Sequence, residues 1–570
     1  MRKRIFDFSL TANKRVQIVL VAILLFSIFL QTVLSMKNNS ATYDEVAHLP
    51  IGYSYLKTGD FRMNVNMGHP PLIEELCALP LLFLNLDFPV NREAWNASDV
   101  WSYGLSFLYN NKIDADTILF IGRIPVVILS CILGLLLFLW TKQLFAPGAG
   151  LFALFLYALC PNIITHSSLI TTDLGATLFI FLAVYTFWKF LKKPGWLNAV
   201  FWGASTGLAM VAKFSGILLF PIYIAIGVIF YLKERNLKGI FRPLLLAVGI
   251  GLFVMAAVYK FTSIGSYFYG YKEMLHTISG GASFLMGKYS NTGWRHYFLI
   301  AFLLKTPIPS LLFIFCGLWL CRKHKDIYFI YIPIIFFFLF SSFSNKQLGL
   351  RYMLPIYPFL FLCAGNVINF VFKQCKLIIC RQAGLVAFFI LCGWGVFSQV
   401  KIFPHYLAYF NEFIGGPDNG WKYLSDCNID WGQDLKRLGT FLKEEDVSDV
   451  ILCYFGTPPP GYYIPRFQSF ISIPLIDYRG ATVNSLTPKK EYLAVSVTQL
   501  TGVYFMDHNV LGWLRKYKPV KKIGYSIFVY DITDNVWAHL QLGQIYERYG
   551  EQVLAQREYS RAQIIYNNIK

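Results

Sequence analysis

The sequence predicts an α-helical polytopic membrane protein that carries an external α/β domain and a helical end, and three observations predict it. Hydrophobic residues make up 56% of the 570 positions and charged residues only 15%, too apolar a mixture for a soluble fold. Apolar runs long enough, or nearly so, to cross a bilayer core recur along the first 400 residues. Lys and Arg cluster in every second connection between those runs, as the positive-inside rule requires. The net charge of +19, which would suggest nucleic acid in a soluble chain, therefore reads as a topology signal.

Taken in order, Met1-Arg-Lys-Arg4 and Lys14-Arg15 precede an apolar run from Val16 to Leu34 with no small-residue cleavage site after it. The run reads as a retained first span with its amino end in the cytoplasm. Further spans are expected at Thr117 to Trp140, Gly150 to Ile164, Leu174 to Phe190, Leu197 to Val211, Phe214 to Leu232, Pro243 to Phe261, Tyr297 to Leu320, Ile327 to Phe343, Tyr352 to Phe372 and Leu385 to Val400, about eleven in all. Connections assigned to the cytoplasm hold Lys142; Lys189, Lys192 and Lys193; Lys233, Arg235, Lys238 and Arg242; Arg322, Lys323 and Lys325; and Lys373, Lys376 and Arg381. The third to fifth spans are the shortest.

On the other side lie the long first loop, residues 37–116, and everything after Val400. Within the loop, Pro70 to Leu86 is apolar enough to lie along the interface as an amphipathic helix. Beyond the membrane region (1–400), residues 401–535 change character. Gly415-Gly-Pro-Asp-Asn-Gly420 and Thr457-Pro-Pro-Pro-Gly461 are turns, and Val450 to Phe455, Tyr492 to Val497 and Tyr525 to Tyr530 are β-like. This predicts a small external α/β domain. In residues 536–570, Leu542-Gly543, Tyr546, Gly550, Ala555, Tyr559 and Ala562 have the spacing of one tetratricopeptide helix pair, or of an ordinary amphipathic hairpin, packed on the preceding domain or on a protein partner. Most of the eleven cysteines, among them Cys131, Cys160, Cys316, Cys363 and Cys392, sit singly in apolar segments as filler. Cys427 and Cys453 are the two in the external domain, and an oxidising compartment would allow them to pair.

No Walker loop, GxGxxG turn or HExxH is present, so ATPase, dehydrogenase and metalloprotease readings lose their anchors. What remains is a set of polar residues at the outer ends of spans: Asp44 and Glu45 after the first, His69 before a double proline, Asp173 opening the fourth, Lys213 and Arg351. Charge at membrane depth is costly unless paired or turned to a cavity. Taken singly, Lys213 and Arg351 could snorkel and Asp173 could pair with one of them. Together they suggest a polar cavity at the outer leaflet.

Tyr43-Asp44-Glu45, Gly68-His-Pro-Pro-Leu72, Gly122-Arg-Ile-Pro125, Thr172-Asp173, Lys213-Phe-Ser-Gly216 and Arg351-Tyr-Met-Leu-Pro355 together resemble the C-type (GT-C) polytopic glycosyltransferases. The resemblance covers roughly residues 10 to 400 and lies nearest bacterial relatives of protein O-mannosyltransferases and the aminoarabinose transferases of lipid A. The tract from Pro404-His-Tyr-Leu-Ala-Tyr-Phe-Asn411 through Asp430-Trp-Gly-Gln-Asp434 also looks like a tail of bacterial members. The resemblance implies a GT-C fold in a bacterial plasma membrane and transfer, with inversion, of a sugar from a polyprenyl-phosphate donor to a protein, lipid or glycan acceptor. Such transfer needs a carboxylate to deprotonate the acceptor and cations to hold the departing phosphate. By that carry-over Asp44 is the base, Glu45 orients it or the acceptor, or caps a helix, Lys213, Arg351 and Arg123 face the phosphate, and Asp173 holds a cation or a sugar hydroxyl. His69 stands where some relatives have Lys, and would contact phosphate, bind the acceptor or shape the loop. No metal or other cofactor is expected to be required. Rival readings are a lipid or solute transporter, and a non-catalytic membrane assembly protein.

Overall fold

The computed structural model describes residues 13–63, 68–234, 239–277, 280–374, 378–472 and 479–569. Of the basic residues that orient the chain, Arg2, Lys3, Arg4, Arg235, Lys238 and Lys376 lie outside the described residues.

Among the described residues, seven helices are long and apolar enough to cross a membrane: Lys14–Met36, Ala115–Leu144, Thr172–Lys192, Phe214–Glu234, Phe241–Val258, Leu350–Phe372 and Gln382–Ile402. Two bent pairs, Pro147–Ala158 with Pro161–Ser167 (69°) and Tyr297–Lys305 with Ile308–Cys321 (117°), raise the number to nine if each is one span. The two remaining expected spans are helices of 17 and 16 residues, Trp196–Ala212 and Tyr328–Phe343, at the short end for a bilayer. The bends have local causes. Pro161 and Pro309 each stand in the first turn of the second helix of a pair, where proline cannot continue the preceding ladder of hydrogen bonds.

Exposed Ile224, Val228, Leu252, Phe253, Val386, Ile390 and Phe397 line the flanks of these helices with hydrocarbon, as a bilayer demands of a multi-pass membrane protein. Helices approach through small residues. A Cβ on Gly203 would lie 2.2 Å from the Ala247 carbonyl oxygen, and one on Gly207 2.6 Å from that of Gly251, so Trp196–Ala212 and Phe241–Val258 pack nearly backbone to backbone.

The basic connections gather at one end of the bundle. Lys192 pairs with Asp326 at 2.8 Å, and Lys233 Nζ donates to the Lys325 carbonyl at 3.4 Å. Thr172–Lys192 runs from that end to the other, about 30 Å at 1.5 Å per residue. Asp173 lies at its far end.

The far end is roofed by the first loop. Glu45–Thr58 packs on Leu72–Ala78, where Gly52 abuts the Glu74 backbone so closely that a Cβ would fall 2.1 Å from its oxygen. The expected interfacial helix is thus a seven-residue helix with Leu72, Ile73, Glu74, Cys77 and Ala78 buried. Only the 3₁₀ turn after it, Leu79–Phe83, turns apolar side chains outward, with Phe83 89% exposed. Further along, a short antiparallel hairpin, β1 (Ser283–Leu285) and β2 (Lys288–Ser290), also lies at this end.

Beyond Ile402 the chain forms a five-stranded mixed sheet from β3 (Asp449–Cys453), β4 (Gln468–Ser469), β5 (Glu491–Ser496), β6 (Lys521–Ile523) and β7 (Ile527–Asp531), in the order β4-β3-β5-β7-β6. β3 and β5 are parallel, and β7 is antiparallel to both of its neighbours. Two consecutive helices, Val536–Arg548 and Gln552–Ile569, pack on this sheet: Tyr546 Oη donates to the Ser469 carbonyl at 2.7 Å, and Arg557 pairs with Glu491 of β5 at 2.7 Å. Among the described residues Cys427 and Cys453 are both free, their Sγ atoms directed at the Leu348 and Ile471 carbonyls respectively.

Candidate active site

Asp44 and Glu45 begin the first helix of the roof, and their environments have almost nothing in common. Glu45 is wholly buried. Its Oε1 accepts from Arg123 Nε at 2.8 Å and from the Ile170 N–H at 2.9 Å. Its Oε2 accepts from Arg123 Nη2 at 2.7 Å, from the Thr42 N–H at 2.8 Å and from Thr42 Oγ1 at 3.0 Å. Burial alone would raise this carboxyl, but Arg123 and the N–H donors outweigh it and hold it below the usual range. Arg123 uses its remaining N–H groups on the Met36, Asn39 and Ser40 carbonyls. No donor is left over for a phosphate, so the phosphate-facing place expected for Arg123 is not where the structure puts its guanidinium. Nor does Glu45 face an open site; the pair pins the end of the first span to the roof.

Asp44 instead turns toward the bundle, its side chain 20% exposed, with Arg351 Nη1 donating to its Oδ2 at 2.8 Å. Arg351 Nη1 is also 3.8 Å from Asp173 Oδ2, and Lys213 Nζ donates to Asp173 Oδ1. The four side chains form an alternating row, Asp44, Arg351, Asp173, Lys213. Local structure explains why they meet. Asp173 is in the first turn of its helix; Lys213 sits in extended backbone at the break between Trp196–Ala212 and the 3₁₀ turn Phe214–Leu218; Arg351 lies in the 3₁₀ turn Leu350–Ile356. The Tyr352 ring flanks both cations, its centroid 5.3 Å from Lys213 Nζ and 5.5 Å from Arg351 Cζ. Arg351 Nε, although buried, has no hydrogen-bond partner among the described residues. Asp44, Asp173, Lys213 and Arg351 come together as the sequence suggested, and the row keeps hydrogen-bonding capacity in reserve.

His69 borders this row through His48, with ring centroids 5.2 Å apart. Burial, then the charges of His48 and Lys213, hold its imidazole well below the ordinary value, so it is neutral at pH 7. His48 Nδ1 meets Glu74 Oε1 at 2.7 Å in a buried pair, which burial would oppose but the Glu74 carboxylate favours, raising His48. Among the described residues no group of three His, Cys, Asp or Glu side chains is placed to hold a metal ion.

Sequence reasoning missed the contribution of the external domain. Trp431 lies over the Arg351 guanidinium, ring centroid to Cζ 4.6 Å. Its backbone and the next two residues brace the turn that presents Asp44: the Tyr43 N–H donates to the Trp431 carbonyl at 2.9 Å, the Ser40 N–H to the Gln433 carbonyl at 3.0 Å, and Ser40 Oγ to the Gly432 carbonyl at 2.8 Å. From the sheet side, Thr457 Oγ1 donates to the Tyr43 carbonyl at 2.9 Å. Asp426, with Tyr504 Oη donating to its Oδ2, and Asp430, whose carboxyl burial pushes up to about 8, complete the segment. The signal available was the resemblance of the tract through Asp430-Trp-Gly-Gln-Asp434 to a tail of bacterial members, with nothing to say what its residues touched.

Residues 115–259 match the family model of dolichyl-phosphate-mannose-protein mannosyltransferase. The chain resembles the C-type glycosyltransferases. A search of curated proteins found no match. Among solved structures, the chain is similar to ArnT from Cupriavidus metallidurans bound to undecaprenyl phosphate (13% identity, 90% of this chain and 97% of that one, TM-score 0.48) and to the same protein in the apo state (14%, 90% and 97%, TM-score 0.47). It is also similar to the oligosaccharyltransferase of Archaeoglobus fulgidus in the apo form (11%, 67% and 56%, TM-score 0.43).

Proposed function

We propose that the chain is an integral-membrane glycosyltransferase that moves a sugar from a polyprenyl-phosphate donor to an acceptor hydroxyl at the outer face of a bacterial plasma membrane. The observation that carries this reading is the row of Asp44, Arg351, Asp173 and Lys213 at the end of the bundle opposite the basic connections. The finer topology belongs to the same proposal: about eleven spans, the amino end in the cytoplasm, and the sheet domain and its tetratricopeptide-like helix pair outside.

In this reading Asp44 takes the proton of the acceptor hydroxyl as its oxygen attacks the anomeric carbon. The carbon–phosphate oxygen bond breaks from the opposite side, inverting the centre, and the leaving polyprenyl phosphate keeps the electron pair. Arg351 and Lys213 stabilise the charge that grows on that phosphate. Asp173 fixes Lys213. Neutral His69 offers a hydrogen bond to a sugar or acceptor hydroxyl. Glu45 and Arg123 act as positioning residues, holding the Asp44 turn in register with the first two spans. The reaction as written needs no metal. Which sugar is carried, and whether the acceptor is a protein, a lipid or a glycan, is a question for the assay.

The test is a transfer assay on the purified full-length protein with a panel of radiolabelled polyprenyl-phosphate monosaccharides, beside Asp44→Asn. Release of polyprenyl phosphate that depends on Asp44 is the expected result and identifies the donor. Full activity in Asp44→Asn overturns the base. Labelled lipid that binds and crosses vesicle membranes unconsumed gives the lead to a transporter.

A further inference from the structure

The chain that follows the last span does not simply leave the membrane. Glu412 Oε1 accepts from Trp394 Nε1 at 3.1 Å and from Ser398 Oγ at 2.8 Å. Both donors belong to the span Gln382–Ile402, and at 1.5 Å per residue they lie about 12 and about 6 Å before its end. Shortly past the span, the chain has turned back alongside it.

A second span gives the same depth. Ile308–Cys321 has 14 residues and covers about 21 Å, about 9 Å less than a hydrocarbon core of ~30 Å. Arg322 and Lys323 place its far end among the basic connections, so its first turn begins beneath the surface at the roofed end. A Cβ on Gly395 would lie 4.0 Å from the Pro309 Cβ, which sets that turn level with Trp394.

Asn411 is bonded to the 117° bend that precedes this turn. Its N–H donates to the Leu304 carbonyl at 2.9 Å, and its Nδ2 to the Leu303 and Thr306 carbonyls at 2.6 and 2.9 Å. The bend strips these carbonyls of helical partners; Pro307, for one, has no N–H to give Leu303. A bilayer supplies no water in its place, and Asn411 does the work. Lys305 Nζ, at the same bend, donates to the Leu407 and Tyr409 carbonyls at 2.9 and 3.2 Å and to that of Asn428, tying the descending chain to the segment that leads to Trp431.

What this stretch turns outward is apolar. Asn411 is buried, but Phe413 is 65% exposed, like Phe397 (64%) and Val400 (68%) on the lipid-facing flank of the last span. A large apolar side chain exposed at that depth meets hydrocarbon. The Glu412 carboxylate beside it is answered by an indole N–H and a hydroxyl, as charge near the membrane requires.

We propose that residues 411–414 are an elbow inserted into the leaflet at the roofed end, with Phe413 seated among lipid acyl chains. The sheet domain is then anchored in the bilayer as well as on the bundle. The proposal rests on the multi-pass membrane reading and is independent of the transfer chemistry.

The test uses the full-length protein in phosphatidylcholine nanodiscs, with a benzophenone amino acid in place of Phe413, of Phe397 as the span reference, or of Val553, exposed on the terminal helix pair, as the water-facing reference. Phospholipid adducts formed on irradiation are measured by mass spectrometry. The expected yield at Phe413 is within about twofold of that at Phe397 and at least about tenfold above that at Val553. A yield at Phe413 no higher than at Val553, while Phe397 forms adducts, overturns the elbow alone. A Phe397 position without adducts overturns the placement of the last span and the elbow with it. A second measurement avoids the bulky probe: labelling of Phe413→Cys and Val553→Cys by a charged maleimide in the same nanodiscs, each above the wild-type background. Val553→Cys is expected to react at least about tenfold faster; equal rates overturn the proposal.

Discussion

Asp44 and Glu45 are neighbours in sequence with opposite surroundings. Glu45 accepts hydrogen bonds from five donors and pairs with an Arg123 whose guanidinium is equally occupied. Among the described residues Asp44 has one ion-pair partner, Arg351, which itself has a donor to spare there. A charged pair with every hydrogen bond satisfied fixes geometry, because breaking it strands a buried charge. One held loosely beside unspent donors is suited to exchange partners with a ligand. The lesson is that an acidic dipeptide beside a membrane span is two devices: the second residue locks the roof and the first stays beside an unspent donor.

The comparison can be broken most severely at the lock. Glu45→Ala leaves Arg123 buried without its counter-ion, at a cost of roughly 3–5 kcal/mol; the folded yield in detergent, read by size-exclusion chromatography, is expected to collapse. Survival of a well-folded Glu45→Ala protein would contradict the scaffold role.

A second, smaller effect concerns the segment that braces the Asp44 turn. Burial raises the Asp430 carboxyl to about 8. A raised value means the folded state binds the proton more tightly, so this stability is fully present below the unfolded value near 4 and is lost as pH rises through about 8. Thermal melting is expected to fall across that window by the equivalent of roughly 2 kcal/mol or more, and Asp430→Asn to flatten the dependence.

On the open side, Arg351→Lys keeps the charge but loses the planar fork and its stacking on Trp431. Transfer, measured as kcat/KM for the donor, is expected to drop about tenfold to a hundredfold with melting nearly unchanged. Smallest is Trp431→Leu, which removes a cation–π contact of about 1 kcal/mol; the expected loss is about fivefold in donor affinity. If Trp431→Leu were instead to unfold the protein, its backbone bracing would outweigh its contact with Arg351.

Most of the layout was legible, and the reasons for the gaps are physical. Hydropathy and basic residues marked where helices begin and end, because the bilayer imposes both; each expected span is helical, although Trp196–Ala212 and Tyr328–Phe343 are short and two others are bent. The expected interfacial helix proved mostly buried, since hydrophobicity alone does not say whether a face meets lipid or protein. Asp44, Asp173, Lys213 and Arg351 could be grouped because the alternation of basic connections assigned them to one side. What separates Arg123 from Arg351 could not, because a span-end arginine reads the same in sequence whether its donors end on carbonyls or stay free. Trp431 stood in a tract the sequence marked without saying what it touched, because its contact with Arg351 joins distant segments.

The most direct test sets Asp44→Asn beside Glu45→Gln, near-isosteric changes one residue apart, and measures transfer from a polyprenyl-phosphate sugar together with the melting temperature. The account predicts that Asp44→Asn melts like wild type and transfers at least about a hundredfold more slowly, while Glu45→Gln melts well below wild type. An Asp44→Asn protein that transfers normally, or a Glu45→Gln protein that melts normally and is inactive, would contradict it.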